Sequence, residues 1–266
     1  MGNRNVFPLS HPDLVLKPVG LAQVDNLRVQ TTAIPSAAET CSLTCDAIVL
    51  TDANGEIIIY GPQSIAFDGA IVGLGGMDAA VMSASGWYYL FLIGNEFNRE
   101  LHGLISSSRT APTLPAGFTH WAIVSAVRYD SGTGFIETFT QVGAWVMRDQ
   151  VAIFTARAGV AAWAQLAGAE QTAFEAAVPP PPAAQSCWII GGPSASTDTG
   201  QKVAAHVTGG VAYGERYLHT ATSGLLHDGF YAETTIEQPL YDHNIWVQAE
   251  TTDLLTLLVT GFRLML

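Results

Sequence analysis

At 266 residues the chain has room for one large β domain or two of ordinary size, and its charged fraction of 13% is about half the roughly 25% of an average soluble protein. The net charge of −12 divides into 6 Lys+Arg against 12 Asp+Glu up to Ala144 and 5 against 11 beyond it, so neither half carries the clustered cations that nucleic-acid binding requires. The longest apolar run near the C-terminus, Leu254 to Phe262, is broken by Thr and Gly, is followed by Arg263, and falls short of the ~20 residues of a membrane helix.

Residues 1–24 contain Pro8, Pro12 and Pro18 with no helical or strand period and read as an extended N-terminal arm, anchored by Phe7, Leu14, Val15 and Leu16. Pro8, His11, Pro12 and Asp13 stand where a secretory leader carries its apolar core, and Val6 stands where a myristoylation signal has Ser or Thr. The expectation is a protein made and kept soluble in the cytoplasm.

Residues 26–33 and 41–51 alternate as strands, and Asp52-Ala-Asn-Gly55 before Glu56-Ile-Ile-Ile-Tyr60 reads as a hairpin in which Asn-Gly supplies positive φ angles. Asp52, Asn54 and Glu56 do not make a calcium loop, because the 12-residue frame and flanking helices are missing. Cys41 and Cys45 would lie about 13 Å apart on one strand face at ~3.3 Å per residue, beyond disulfide reach, and with Cys187 they read as small buried hydrophobes.

From Ser64 to Val142 the chain runs through Gly73-Leu-Gly-Gly76-Met-Asp78, the block Trp87-Tyr-Tyr-Leu-Phe-Leu-Ile93, a Ser-rich bend, and Thr110-Ala-Pro-Thr-Leu-Pro-Ala-Gly117-Phe. His120-Trp-Ala-Ile-Val-Ser-Ala-Val-Arg128 and Phe135 to Val142 follow, so three strand-like runs are separated by turn chemistry, a β-meander. The run Ala156 to Ala177 has helix-favouring composition interrupted by Gly159 and Gly168, and the β neighbours favour strand, turn, strand through Ala167. Pro179 to Pro182 is a rigid spacer. Runs at 186–190, 203–207, 216–222, 229–236, 244–250 and 254–266 have the spacing of a sandwich, with Thr251-Thr-Asp253 closing a final hairpin. The organisation expected is an arm (1–24), a β-sandwich domain (25–145), a connecting segment (146–182) and a second β-rich domain (183–266). The fold class is all-β, with two sandwich or jelly-roll-like halves.

Chemistry is not advertised. No Gly-x-Ser-x-Gly elbow occurs. The Gly191 to Lys202 stretch departs from a phosphate loop, since Gln201 separates Gly from Lys and Val203 takes the Ser/Thr position. The seven histidines form no zinc-type spacing. No catalytic residue, cofactor or metal is therefore expected. Carboxylate pairs alone would allow a polysaccharide depolymerase, but the repetitive β-helix usual in phage enzymes of that kind is missing.

The order Trp-Tyr-Tyr strand, Ser/Thr run, Thr-Ala-Pro-Thr-Leu-Pro-Ala-Gly, strand ending Val-Arg and strand ending Thr-Gln resembles a module of structural proteins of tailed bacteriophage virions. The likeness is strong over 64–142 and looser to 266, where Val178-Pro-Pro180 matches a boundary before a second strand-rich half. It implies a non-enzymatic virion component, capsid-attached or tail/fibre-associated, whose partners are other virion proteins. The arm would be its docking device. Sheet edges such as 254–266 must be paired or covered, and a homo-oligomer, a trimer, is expected. The alternative function is a carbohydrate-binding receptor module at a fibre or spike tip, using Trp121, Trp163 and Trp188 as a sugar shelf.

Overall fold

The computed structural model describes residues 20–21, 23–31, 39–157, 162–180, 184–193, 201–208, 211–213, 216–219, 234–240, 243–249 and 255–264. The N-terminal strands are β1 (Gly20–Leu21), β2 (Gln23–Asp25), β3 (Arg28–Thr31), β4 (Thr40–Cys45), β5 (Ala47–Thr51), β6 (Ile57–Tyr60) and β7 (Gln63–Asp68). The central strands are β8 (Gly86–Gly94), β9 (Leu101–Ser106), β10 (His120–Asp130), β11 (Phe135–Ile136), β12 (Phe139–Val142) and β13 (Trp145–Arg157). Then come β14 (Ala164–Gln165), the helix α1 (Ala169–Ala177), β15 (Ala184–Pro193), β16 (Gln201–Ala204), β17 (His206–Thr208) and β18 (Val211–Tyr213). β19 (Arg216–His219), β20 (Thr234–Pro239), β21 (Trp246–Ala249) and β22 (Leu255–Leu264) complete the order. The class is all-β, as expected.

Two eight-stranded sheets dominate. Sheet A has the order β2-β5-β10-β8-β9, with β1 and β11 on β10 and β6 on β5; sheet B runs β20-β15-β22-β13-β12-β3-β4-β7. A four-stranded sheet, β14-β21-β16-β19, lies against β15 and β20, and β17 and β18 form a hairpin. Sheet B therefore takes strands from both ends of the chain. Residues 1–19, including Phe7, Leu14, Val15 and Leu16, lie outside the described residues, while Gly20–Leu21 and Gln23–Asp25 of the segment read as an arm pair within sheet A.

The chain passes between the large sheets by bending single strands, the device that makes sandwich corners. The run 41–51 breaks at Asp46 into β4 of sheet B and β5 of sheet A, and β2 passes into β3 at Asn26, whose φ of 50° lies in the left-handed region that Asn tolerates. Asn26 Nδ2 donates to Asp46 Oδ2 at 2.5 Å and Asp46 N to Asp25 O at 2.9 Å, tying the two bends together. The expected single strand 135–142 divides in the same way. It stays on β10 as far as Glu137, whose N–H donates to Arg128 O, and then enters sheet B as β12.

Other expectations are corrected. The Ser-rich bend begins with a full strand, β9, paired with β8 from Tyr89–Ser106 to Gly94–Leu101. At the Asp52–Glu56 turn only Gly55 has positive φ (83°); Gly55 N donates to Asp52 O and Asp52 N to Glu56 O, a three-residue loop with a G1 bulge instead of a two-residue turn. Residues 169–177 are helical, starting after Gly168 and burying Phe174 and Ala177. β21 and β22 do not form a hairpin, since β21 pairs with β14 and β16 and β22 with β13 and β15. The C-terminal strand is thus interior, and it does not supply the open edge from which an oligomer was argued.

The sheets share one apolar core. Phe67 of β7 presses on β9 where a Cβ at Gly103 would come within 2.6 Å of its ring, and Trp87 of β8 meets Phe262 of β22 edge-on at 5.4 Å. The β8–β10 ladder shifts register between Ile123 and Ser125, and Val124 in that bulge passes its carbonyl to Gln141 Nε2 of β12 at 2.9 Å. The free edge of β9 is closed by the Gly-rich lead-in: Gly75 N donates to Gly103 O, Ile105 N to Gly76 O and Asp78 N to Ile105 O. A Cβ at Gly76 would lie 2.4 Å from Ile71 O, so this strap needs glycine there. Asp78 in turn accepts from Thr113 N at 2.9 Å, pinning the Thr110 to Gly117 segment.

Candidate assembly surface

On β12 the pleat turns Phe139 and Gln141 inward and Thr140 and Val142 outward. Register carries that outer row across sheet B: Val142 faces Trp145, Trp145 faces Arg263, and Gly261 faces both Met147 and Trp188. The half-buried rings of Trp145 and Trp188 stack at 4.6 Å with planes 16° apart. Gly261 makes the space: a Cβ there would lie 3.2 Å from the Trp188 ring and 2.3 Å from Val146 O.

Charge rims one side of this patch. The Arg263 guanidinium lies 5.1 Å from the Trp145 ring centroid and 3.8 Å from Glu237, whose carboxylate accepts from Ser186 Oγ at 2.5 Å. Val142 is 49% and Met147 40% exposed. An aromatic-apolar centre beside an Arg pair has the composition of protein interface cores and can bury apolar area against a second surface. A second group lies on sheet A, where outward Ile57 and Ile59 of β6 are exposed and Phe97, 92% exposed, tops the β8–β9 turn; Arg99 Nη2 of that turn donates to Ile59 O at 2.8 Å.

The tryptophans proposed as a sugar shelf are not brought together. Trp121 is on β10 of sheet A with its ring edge-on to Phe91 at 5.6 Å, Trp163 precedes β14, and Trp188 is on sheet B. Trp188 finds Trp145 instead, a partnership that only the β13–β22–β15 register creates and that sequence spacing could not signal.

The strongest charge cluster is structural in its contacts. Arg148 of β13, with its side chain 6% exposed, pairs with Glu137, which also meets Arg128 at 3.4 Å. Its Nη1 donates to the carbonyls of Ala176 and Ala177 at 3.1 Å, while Trp87 Nε1 donates to Glu175 O at 2.8 Å, so orphan carbonyls at the α1 C-terminus are met by side chains of both sheets. Burial pulls the Arg148 pKa below its ordinary value and Glu137 opposes that pull. The cavity between these residues and Phe262 is 10 Å³, room for about one water.

Cys41, Cys45 and Cys187 are free and buried, as read, with desolvation raising the thiol pKa of each. One set of donors from distant positions does converge: Asp52, Glu56 and His120 each place a ligand atom within 4.8 Å of the others. No described helix is long and apolar enough to cross a membrane. No protein-family model matches the chain, and no curated protein matches it significantly.

Proposed function

We propose that this chain is a non-enzymatic structural component of a tailed phage virion, capsid-attached or tail/fibre-associated, acting in particle assembly or attachment. The observation that carries the reading is the outward apolar patch of Val142, Trp145, Met147 and Trp188, a surface suited to a protein partner. The residues of the phage-like module support it, because they serve packing: Tyr88 and Tyr89 are buried, Trp87 joins the sheets and α1, and the Gly-rich lead-in seals an edge. In this reading the protein acts as a homo-oligomer, a trimer, alongside other virion proteins, and residues 1–19 serve as the docking arm.

Mass spectrometry of purified particles tests the proposal; a protein made during infection but absent from virions is not a structural part. Val142→Glu with Met147→Glu changes exposed positions, so it should keep the melt and lose incorporation. A truncation beginning at Gly20 spares β1 and β2 and should likewise fold but fail to incorporate. If both assemble normally, neither the patch nor the arm is an attachment device. Light scattering that shows a stable monomer at micromolar concentration, unchanged by virion partners, argues against the oligomer.

A further inference from the structure

We infer that Asp52, Glu56 and His120 form a divalent-metal site that takes an ion of the zinc class through two carboxylates and one imidazole. The sequence hides it, because His120 lies 64 positions beyond Glu56 by residue number. The fold assembles it: β5 pairs with β10 through Thr51 and Trp121, the residues immediately before Asp52 and after His120. One ring nitrogen and one oxygen from each carboxylate then lie within 4.8 Å of one another, so side-chain shifts of a few tenths of an ångström bring them inside the roughly 4.4 Å that two ligands about 2.2 Å from a shared ion can span.

Hydrogen bonds fix the orientation of two of the three ligands. The Asp52 carboxylate accepts from Asn54 N at 2.9 Å, Glu56 N at 2.7 Å and Asn54 Nδ2 at 3.0 Å, three of the roughly four lone-pair sites a carboxylate offers. His120 is 1% exposed, and the hydrogen bond of its ring joins Nδ1 to Thr119 Oγ1 at 2.9 Å. The tautomer with the proton on Nδ1 donates to that hydroxyl and leaves the Nε2 lone pair to coordinate, the arrangement that outer-shell partners impose on metal-bound histidines.

A buried imidazole, brought by β10 to the acidic pair of the β5–β6 turn, is a second observation, independent of the carboxylates, that points to a cation. Glu56, at the exposed side of the turn, closes the third position, and water completes the coordination shell. Imidazole in the set disfavours magnesium and calcium, which take oxygen ligands, and favours zinc or its first-row neighbours. The hairpin would then be clamped to the start of β10, fixing the end of sheet A on which Phe97 and Ile59 are exposed.

The test uses the full chain stripped with chelator and titrated with Zn²⁺ by calorimetry, with Mg²⁺ and Ca²⁺ as controls. One Zn²⁺ per chain should bind saturably and raise the Tm, while the controls should bind much more weakly. Glu56→Gln, at an exposed position, should leave the metal-free melt unchanged and weaken zinc at least about tenfold, the loss that even outer-shell changes cause. Asp52→Asn keeps an oxygen for the turn amides and should weaken zinc similarly. No saturable zinc binding by a chain with a normal melt overturns the site, as does zinc binding that neither variant weakens.

Discussion

Gln141→Leu removes the one side chain whose amide bridges the two large sheets at the β10 bulge. Gln141 is fully buried, and its Nε2 donates to Val124 O at 2.9 Å and Gly143 O at 2.8 Å, whereas its Oε1 has no partner. Leucine is close in volume, so no large cavity forms and the cost is polar. Two hydrogen bonds at a net ~1 kcal/mol each are lost, and the Val124 carbonyl, outside the regular ladder, is left buried at a cost of about 1–3 kcal/mol. Relief of the unpaired Oε1 returns roughly 1 kcal/mol, giving a net loss of about 2–4 kcal/mol. At about 2–4 °C per kcal/mol for a chain of this size, the Tm should fall by roughly 4–16 °C. Urea unfolding and calorimetry measure it against Thr140→Ala, an exposed neighbour expected within about 0.5 kcal/mol of wild type. A Gln141→Leu protein within that same margin, or more stable, would refute the claim that this amide holds the corner together.

Phe262→Ala should cost about 3–5 kcal/mol by chemical denaturation, because the ring is fully buried between the sheets against Trp87; a loss under 1 kcal/mol would mean the sheets do not meet there. Cys41 and Cys187, buried and with raised thiol pKa, should resist alkylation in the native protein and react fully in denaturant, as peptide mass mapping would show. Asp52 and Asp130 are both held below the ordinary carboxylate value, Asp130 chiefly by the Gly132 N–H and Asp52 by turn donors that overcome its burial. Depressed folded values mean the stabilisation is complete above the unfolded value of about 3.9 and is lost as pH falls through the folded values, so melts should be flat from neutral pH to about 5 and decline below it, with Asp52→Asn and Asp130→Asn blunting the decline.

Local sequence determined what depends on neighbours in the chain. Alternating apolar positions specify strands such as β4, the continuous apolar run of β8 specifies a strand covered on both faces, and Asp52 and Gly55 specify a tight turn. Sequence did not reveal where a strand changes sheet, because Asn26, Asp46 and Glu137 carry no distinctive period and the bends are stabilised by contacts with one another or with residues of other strands. The helix after Gly168 was equally hidden, since its C-terminal carbonyls are met by Arg148 and Trp87 from the sheets. Tertiary register alone stacked Trp145 on Trp188 and set His120 beside Asp52 and Glu56. Such sites depend on which strands become neighbours, and that is decided by burying one shared core, a property of the whole chain that no short window contains.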